Sequence, residues 1–81
     1  MIKINSLQQL KESCKDESQE FYILLNGGVR SSKRIEYNSD TETFDVYNEI
    51  DDTWQEGLDD ERLSNETNIV EAINKNNFFK Y

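Results

Sequence analysis

The residues able to do chemistry fall into two groups of opposite charge. The first lies in "LLNGGVRSSKR", where two glycines precede Arg30, Ser31, Ser32, Lys33 and Arg34. Hydroxyls and cations beside a glycine turn are the materials of an anion site. A phosphate-binding P-loop needs G-x-x-x-x-G-K-[ST] between a strand and a helix, so that the helix N-terminus faces the phosphates. Here Ser32, not a glycine, immediately precedes Lys33, and "RIEYN" continues as strand. The run therefore reads first as a β-hairpin, with Arg30, Ser31, Ser32, Lys33 and Arg34 as an alternative anion-binding patch.

The second group is acidic. Between Glu36 and Glu66 twelve acids stand against one base, Arg62, which leaves eleven net negative charges in that span. Asp45, Glu49, Asp51, Asp52, Asp59, Asp60 and Glu61 are its candidate binding residues. Their spacing is not that of a calcium loop, which requires D-x-[DN]-x-[DN]-G and a glutamate at the twelfth place. Catalysis is not expected. The chain has no histidine, so the commonest general base and the Ser-His-Asp and Cys-His arrangements are excluded. A single cysteine, Cys14, permits neither an internal disulfide nor a zinc site built from thiolates. No metal or cofactor is expected, and Cys14 reads as a small core residue.

The elements that must carry these groups fit one domain spanning residues 1–81. Nine aromatic residues in so short a chain indicate a packed core. "NSLQQLKESC" opens with a capping pattern, Ser6 with Gln9 three residues on, and Leu7, Leu10 and Cys14 share one helical stripe. "FYILLN" is a strand. Two loop lengths are possible at the hairpin. A three-residue loop, Asn26-Gly27-Gly28, pairs Leu25 with Val29 and puts Phe21 and Ile23 on the face of Ser31, Lys33, Ile35 and Tyr37. A two-residue loop exchanges the faces and buries less, so the longer loop is expected. That register also points Ser31 and Lys33 inward.

"TFDVYNEI" alternates, with Phe44, Val46, Asn48 and Ile50 on one face. "DDTWQEGLDDERLS" is expected to turn the chain, with Trp54 as anchor and a short helical turn at Asp59 to Leu63. A final helix starts with Asn68 and Glu71 as a capping pair and buries Ile69, Ala72 and Ile73. Asn76 or Asn77 suits the left-handed position after it, and Phe78, Phe79 and Tyr81 pack back on the sheet. The expected fold is α+β: an N-terminal helix, a three-stranded antiparallel meander and a C-terminal helix, with the helices on one face.

"LLNGGVRSSKRIEYN", "FDVYNEIDDTWQ" and "TNIVEAINKNNFFKY" together resemble short proteins encoded by phages and other mobile elements. The similarity covers residues 21 to 81 and brings no catalytic residues. It implies a setting in which small accessory proteins act by binding a host protein.

The net charge of −8 disfavours ordinary binding to nucleic acid or anionic membrane, whose phosphates demand a basic surface. "MIKINSLQQL" lacks an apolar run of signal-peptide length, so the expected location is the cytoplasm. The expected function is a non-enzymatic inhibitor of a host protein, monomeric or homodimeric, whose acidic face imitates a phosphate backbone. The alternatives are a small-ligand or nucleic-acid module on the Arg30–Arg34 patch, with Tyr22, Tyr37 and Tyr47 as stacking surfaces, and a structural, oligomerising protein.

Overall fold

A computed structural model describes residues 2–28 and 30–81. The chain runs β1 (Ile2–Lys3), α1 (Leu7–Ser13), β2 (Gln19–Leu24), β3 (Arg30–Asn38), β4 (Thr43–Asn48), β5 (Thr53–Leu58), α2 (Asp60–Glu66), α3 (Ile69–Asn74) and β6 (Phe78–Lys80). All six strands join one antiparallel sheet in the order β1-β6-β2-β3-β4-β5. The fold is α+β, but the expected three-stranded meander with two terminal helices is corrected to six strands and three helices.

The correction has two local causes. Residues 53–57 are all exposed, so β5 carries no alternation to distinguish it from a turn. Its glycine marks a bulge instead: Phe44 pairs with Leu58 and Val46 with Gln55, so Glu56 and Gly57 together oppose Asp45. Gly57 has φ +69° there, a conformation that glycine adopts without strain. The tail "FFK" does not pack on the sheet but enters it. β6 lies between β1 and β2, pairing Tyr22 with Phe79 on one side and Lys3 with Phe79 on the other.

The β2–β3 register follows the burial argument. Phe21 pairs with Lys33, Ile23 with Ser31 and Gln19 with Ile35. This is the spacing of the three-residue loop, whose expected Leu25–Val29 pair includes Val29, outside the described residues. Gly27 and Gly28 both take positive φ in that turn.

All three helices cover one face of the sheet. Leu10 and Cys14 of the α1 segment, Leu63 of α2, and Ile69, Ala72 and Ile73 of α3 meet Phe21, Ile23, Ile35, Tyr37, Phe44, Val46, Leu58 and Phe78. Each fully buried aliphatic or aromatic side chain contributes about 1.5–3 kcal/mol, and this layer supplies the cohesion of the domain. Ser6 caps α1 by accepting from Gln9 N–H at 3.1 Å, while Gln9 Oε1 accepts from Asn5 N–H at 2.8 Å. The helical turn expected at Asp59 to Leu63 is the first part of α2, whose cap is Asp59. Asn68 precedes α3 without a side-chain cap, and Glu71 instead meets Lys75 Nζ at 2.7 Å. Asn76 takes the left-handed position, with φ +59°.

Two apolar side chains escape the expected burial. β4 ends at Asn48, and Ile50 stands at the tip of the β4–β5 turn, 94% exposed. Trp54 anchors nothing inside; it lies opposite Tyr47 on the uncovered face. Among the described residues no helix is long and apolar enough to cross a membrane.

Candidate functional site

The sheet sorts charge by position. β4, β5, the turn between them and α2 with its Asp59 cap carry nine of the twelve acids of that span and form one edge. The rest of the chain holds eight bases and five acids, including Lys3 of β1, Lys80 of β6 and Arg30, Lys33 and Arg34 of β3. A one-sided sequence thus becomes a one-sided surface.

The seven candidate acids form two groups at opposite ends of β5. Glu49, Asp51 and Asp52 occupy the β4–β5 turn; Asp59, Asp60 and Glu61 open α2. The six residues of β5 separate them by roughly 20 Å at about 3.3 Å per residue. Asp45 lies between, on the uncovered face of β4.

Five of the seven also hold local structure. Asp45 Oδ1 accepts from Gly57 N–H at 3.0 Å and fixes the bulge. Asp51 Oδ2 accepts from Asn48 Nδ2 at 3.1 Å, and Asn48 Oδ1 accepts from Ile50 N–H at 3.0 Å. Asp52 accepts from the Tyr47 hydroxyl, which raises the phenol's pKa because the carboxylate favours the protonated form. Asp59 accepts from Arg62 N–H at 2.8 Å as the α2 cap, and Asp60 meets Lys11 Nζ at 3.0 Å. Glu49 and Glu61 make no such contact among the described residues. Glu56, which the sequence reading did not single out, is exposed between the two groups and is a third acid without such a contact among the described residues.

One contact runs against stability. Glu36 and Asp45 are direct cross-strand partners on the uncovered face, and like charges so placed repel. The Gly57 N–H offsets part of that repulsion for Asp45.

The cationic patch does not converge. Strand alternation sends Arg30, Ser32 and Arg34 to the uncovered face and Ser31 and Lys33 to the helix-covered face. Arg30 lies over the Tyr22 ring, 4.8 Å from its centroid, and Arg34 meets Glu20 at 3.7 Å. Tyr22 also packs against Phe79 and Tyr81, at 5.3 and 4.8 Å between ring centroids. It is buried without a helix above it.

Of the three expected stacking tyrosines, Tyr22 and Tyr47 share this face. Tyr37 lies in the core against Phe44. Trp54, Phe79 and Tyr81 join the band instead. Only the pairing of β5 with β4 and of β6 with β2 reveals that, and neither β5 nor β6 has a strong local signature.

On the covered face, Ser31 and Lys33 line a cleft of about 270 Å³ with Ile23, Leu25, Ala72 and Lys75. Cys14 is sealed in the core, its Sγ–H donating to Leu10 O at 3.1 Å. Burial pushes its pKa up to about 12, so the nucleophilic thiolate is suppressed. Among the described residues no cluster of three or more acids or thiols is placed to hold a metal. No family model matches the chain, and no curated protein or solved structure is significantly similar to it.

Proposed function

We propose that this is a non-enzymatic binding protein whose acidic edge occupies a basic, nucleic-acid-binding surface of a host protein. One observation carries the reading: the acids of β4, β5 and α2 gather on one edge while most bases lie elsewhere in the sheet. The two acid groups, roughly 20 Å apart, span about six base-pair steps at 3.4 Å each. A rigid row of carboxylates on that scale meets the charges of a channel built for phosphates. Complementary charge of this kind accelerates encounter and makes binding sensitive to salt.

The Glu36–Asp45 repulsion supports the same reading, since the Gly57 N–H compensates it only at Asp45 and Glu36 makes no contact in return among the described residues. The phage-accessory setting, which rests on the sequence resemblance, and a cytoplasmic site of action, which rests on the polar character of "MIKINSLQQL", belong to this proposal. The test is capture from nuclease-treated host lysate by the tagged protein. A nucleic-acid-handling protein released by moderate salt and displaced by duplex oligonucleotide is the expected result. Capture indifferent to both sends the reading down.

The uncovered face favours a second reading. Tyr47, Trp54, Phe79 and Tyr81 beside Arg30 and Arg34 form a platform on which bases can stack. Saturable quenching of Trp54 by a single-stranded oligonucleotide at low salt is its signature, and an unchanged spectrum removes it.

A further inference from the structure

The covered face of the β2–β3 hairpin carries a cationic cleft that is independent of the acidic edge. Lys33 is half-buried there, its cross-strand partner is the buried Phe21, and among the described residues it makes no ion pair. Lys33 buries part of its stem there without an acidic partner, although this chain has seventeen acids from which one could have been placed. None is within 4 Å of it. Glu71, the acid that lines the cleft, meets Lys75 at 2.7 Å. Lys33, Lys75 and Glu71 therefore leave the cleft with one net positive charge.

The remaining walls define what would balance that charge. Ile23, Leu25 and Ala72 supply an apolar side, and the Ser31 hydroxyl stands beside Lys33 on the same strand face. Asn77, also in the lining, donates its Nδ2 to Leu24 O at 2.9 Å, and its unpartnered Oδ1, an acceptor, offers nothing to an anion. The volume, about 270 Å³, falls just below the roughly 300–1,000 Å³ of sites for drug-sized ligands. A second cleft, of about 260 Å³, shares Lys33 and Asn68 but is lined by Asp51 and Glu66, so an anion is better placed in the first.

We infer that the cleft between the β2–β3 hairpin and α3 binds a small organic monoanion, a carboxylate on a short apolar body. Its carboxylate pairs with Lys33 and accepts from Ser31, and its apolar part lies against Ile23, Leu25 and Ala72. The ligand contacts the helix-covered face, so its binding neither requires nor blocks the acidic edge.

Nuclear magnetic resonance titration with sodium hexanoate tests the assignment, with hexanol as the uncharged control. Saturable shifts should appear at the amides of Ser31, Lys33, Ala72 and Asn77, and hexanol should bind about tenfold more weakly, the scale of one charge-assisted contact. Lys33→Met keeps an unbranched stem without the charge and should weaken hexanoate about tenfold. Glu71→Gln frees Lys75 and should tighten binding several-fold, which gives a gain-of-affinity result that loss of folding cannot imitate. Equal binding of hexanoate and hexanol, shifts mapping outside the cleft, or indifference to both substitutions overturns the inference.

Discussion

The position of β6 can be tested by substituting two adjacent phenylalanines. Phe78 is fully buried on the covered face and stacks on Phe21 at 5.4 Å between centroids, with the rings 13° from parallel. Phe79, its neighbour, is half-buried on the opposite face against Tyr22. A buried Phe→Ala costs about 3–5 kcal/mol. An 81-residue domain has a total stability of about 4–12 kcal/mol at roughly 0.05–0.15 kcal/mol per residue. Phe78→Ala therefore removes much or all of it.

Phe79→Ala removes a surface-side stack and should cost about 1–2 kcal/mol. Urea unfolding followed by circular dichroism and by Trp54 fluorescence reads both variants. With a slope near 1 kcal/mol per molar urea, the midpoint falls by roughly 3–5 M for Phe78→Ala and by about 1–2 M for Phe79→Ala. Equal, small losses would mean that the tail lies on the sheet rather than within it. A larger loss at Phe79 would mean that the strand's faces are exchanged. Either result refutes the topology.

Two further outcomes follow from charge and burial. Glu36→Lys replaces a repulsive cross-strand pair with an attractive one and should stabilise the fold by about 0.2–1 kcal/mol, measured by the same unfolding; destabilisation would show that Glu36 has a structural role. Cys14 keeps its proton in the folded state up to about pH 12, whereas in the unfolded chain it ionises near pH 9. Its burial thus contributes fully below pH 9 and is lost as pH rises from 9 to 12, at about 1.4 kcal/mol per pH unit. The stability difference between wild type and Cys14→Ala should shrink by about 1 kcal/mol between pH 9 and 10, where the unfolded thiol is only partly ionised; a difference independent of pH would place the thiol in contact with water.

How far the sequence could be read depended on whether the determinants were local. The α1 cap rests on Ser6 and Gln9, three residues apart, and the α3 stripe on Ile69, Ala72 and Ile73, so both were legible. The β2–β3 register was legible because a slip would have exchanged the faces of Phe21 and Ile23. β5 was not, since an exposed edge strand has no apolar alternation and its Gly57 imitates a turn. β6 was not either: three residues at one end of the chain acquire strand character only by pairing with β1 at the other end and with β2 in between. The candidate sites divide in the same way. The acidic span was visible as composition, but its segregation depends on β4 and β5 lying at one edge. The run Arg30 to Arg34 is one patch by composition, and the same legible register that points Ser31 and Lys33 inward divides it in two.

The central claim is that the acidic edge binds through its charge. Glu49, Glu56 and Glu61 are the acids to change, because they are exposed and hold no local contact among the described residues. The variant Glu49→Lys, Glu56→Lys and Glu61→Lys moves the edge by six charges while leaving the turn, the bulge and the α2 cap intact. The decisive measurement is the affinity of wild type and this variant for the captured host protein across a range of salt concentrations. The account predicts at least a tenfold loss for the variant at low salt and a flatter salt dependence. Unchanged affinity with an unchanged salt slope would contradict it.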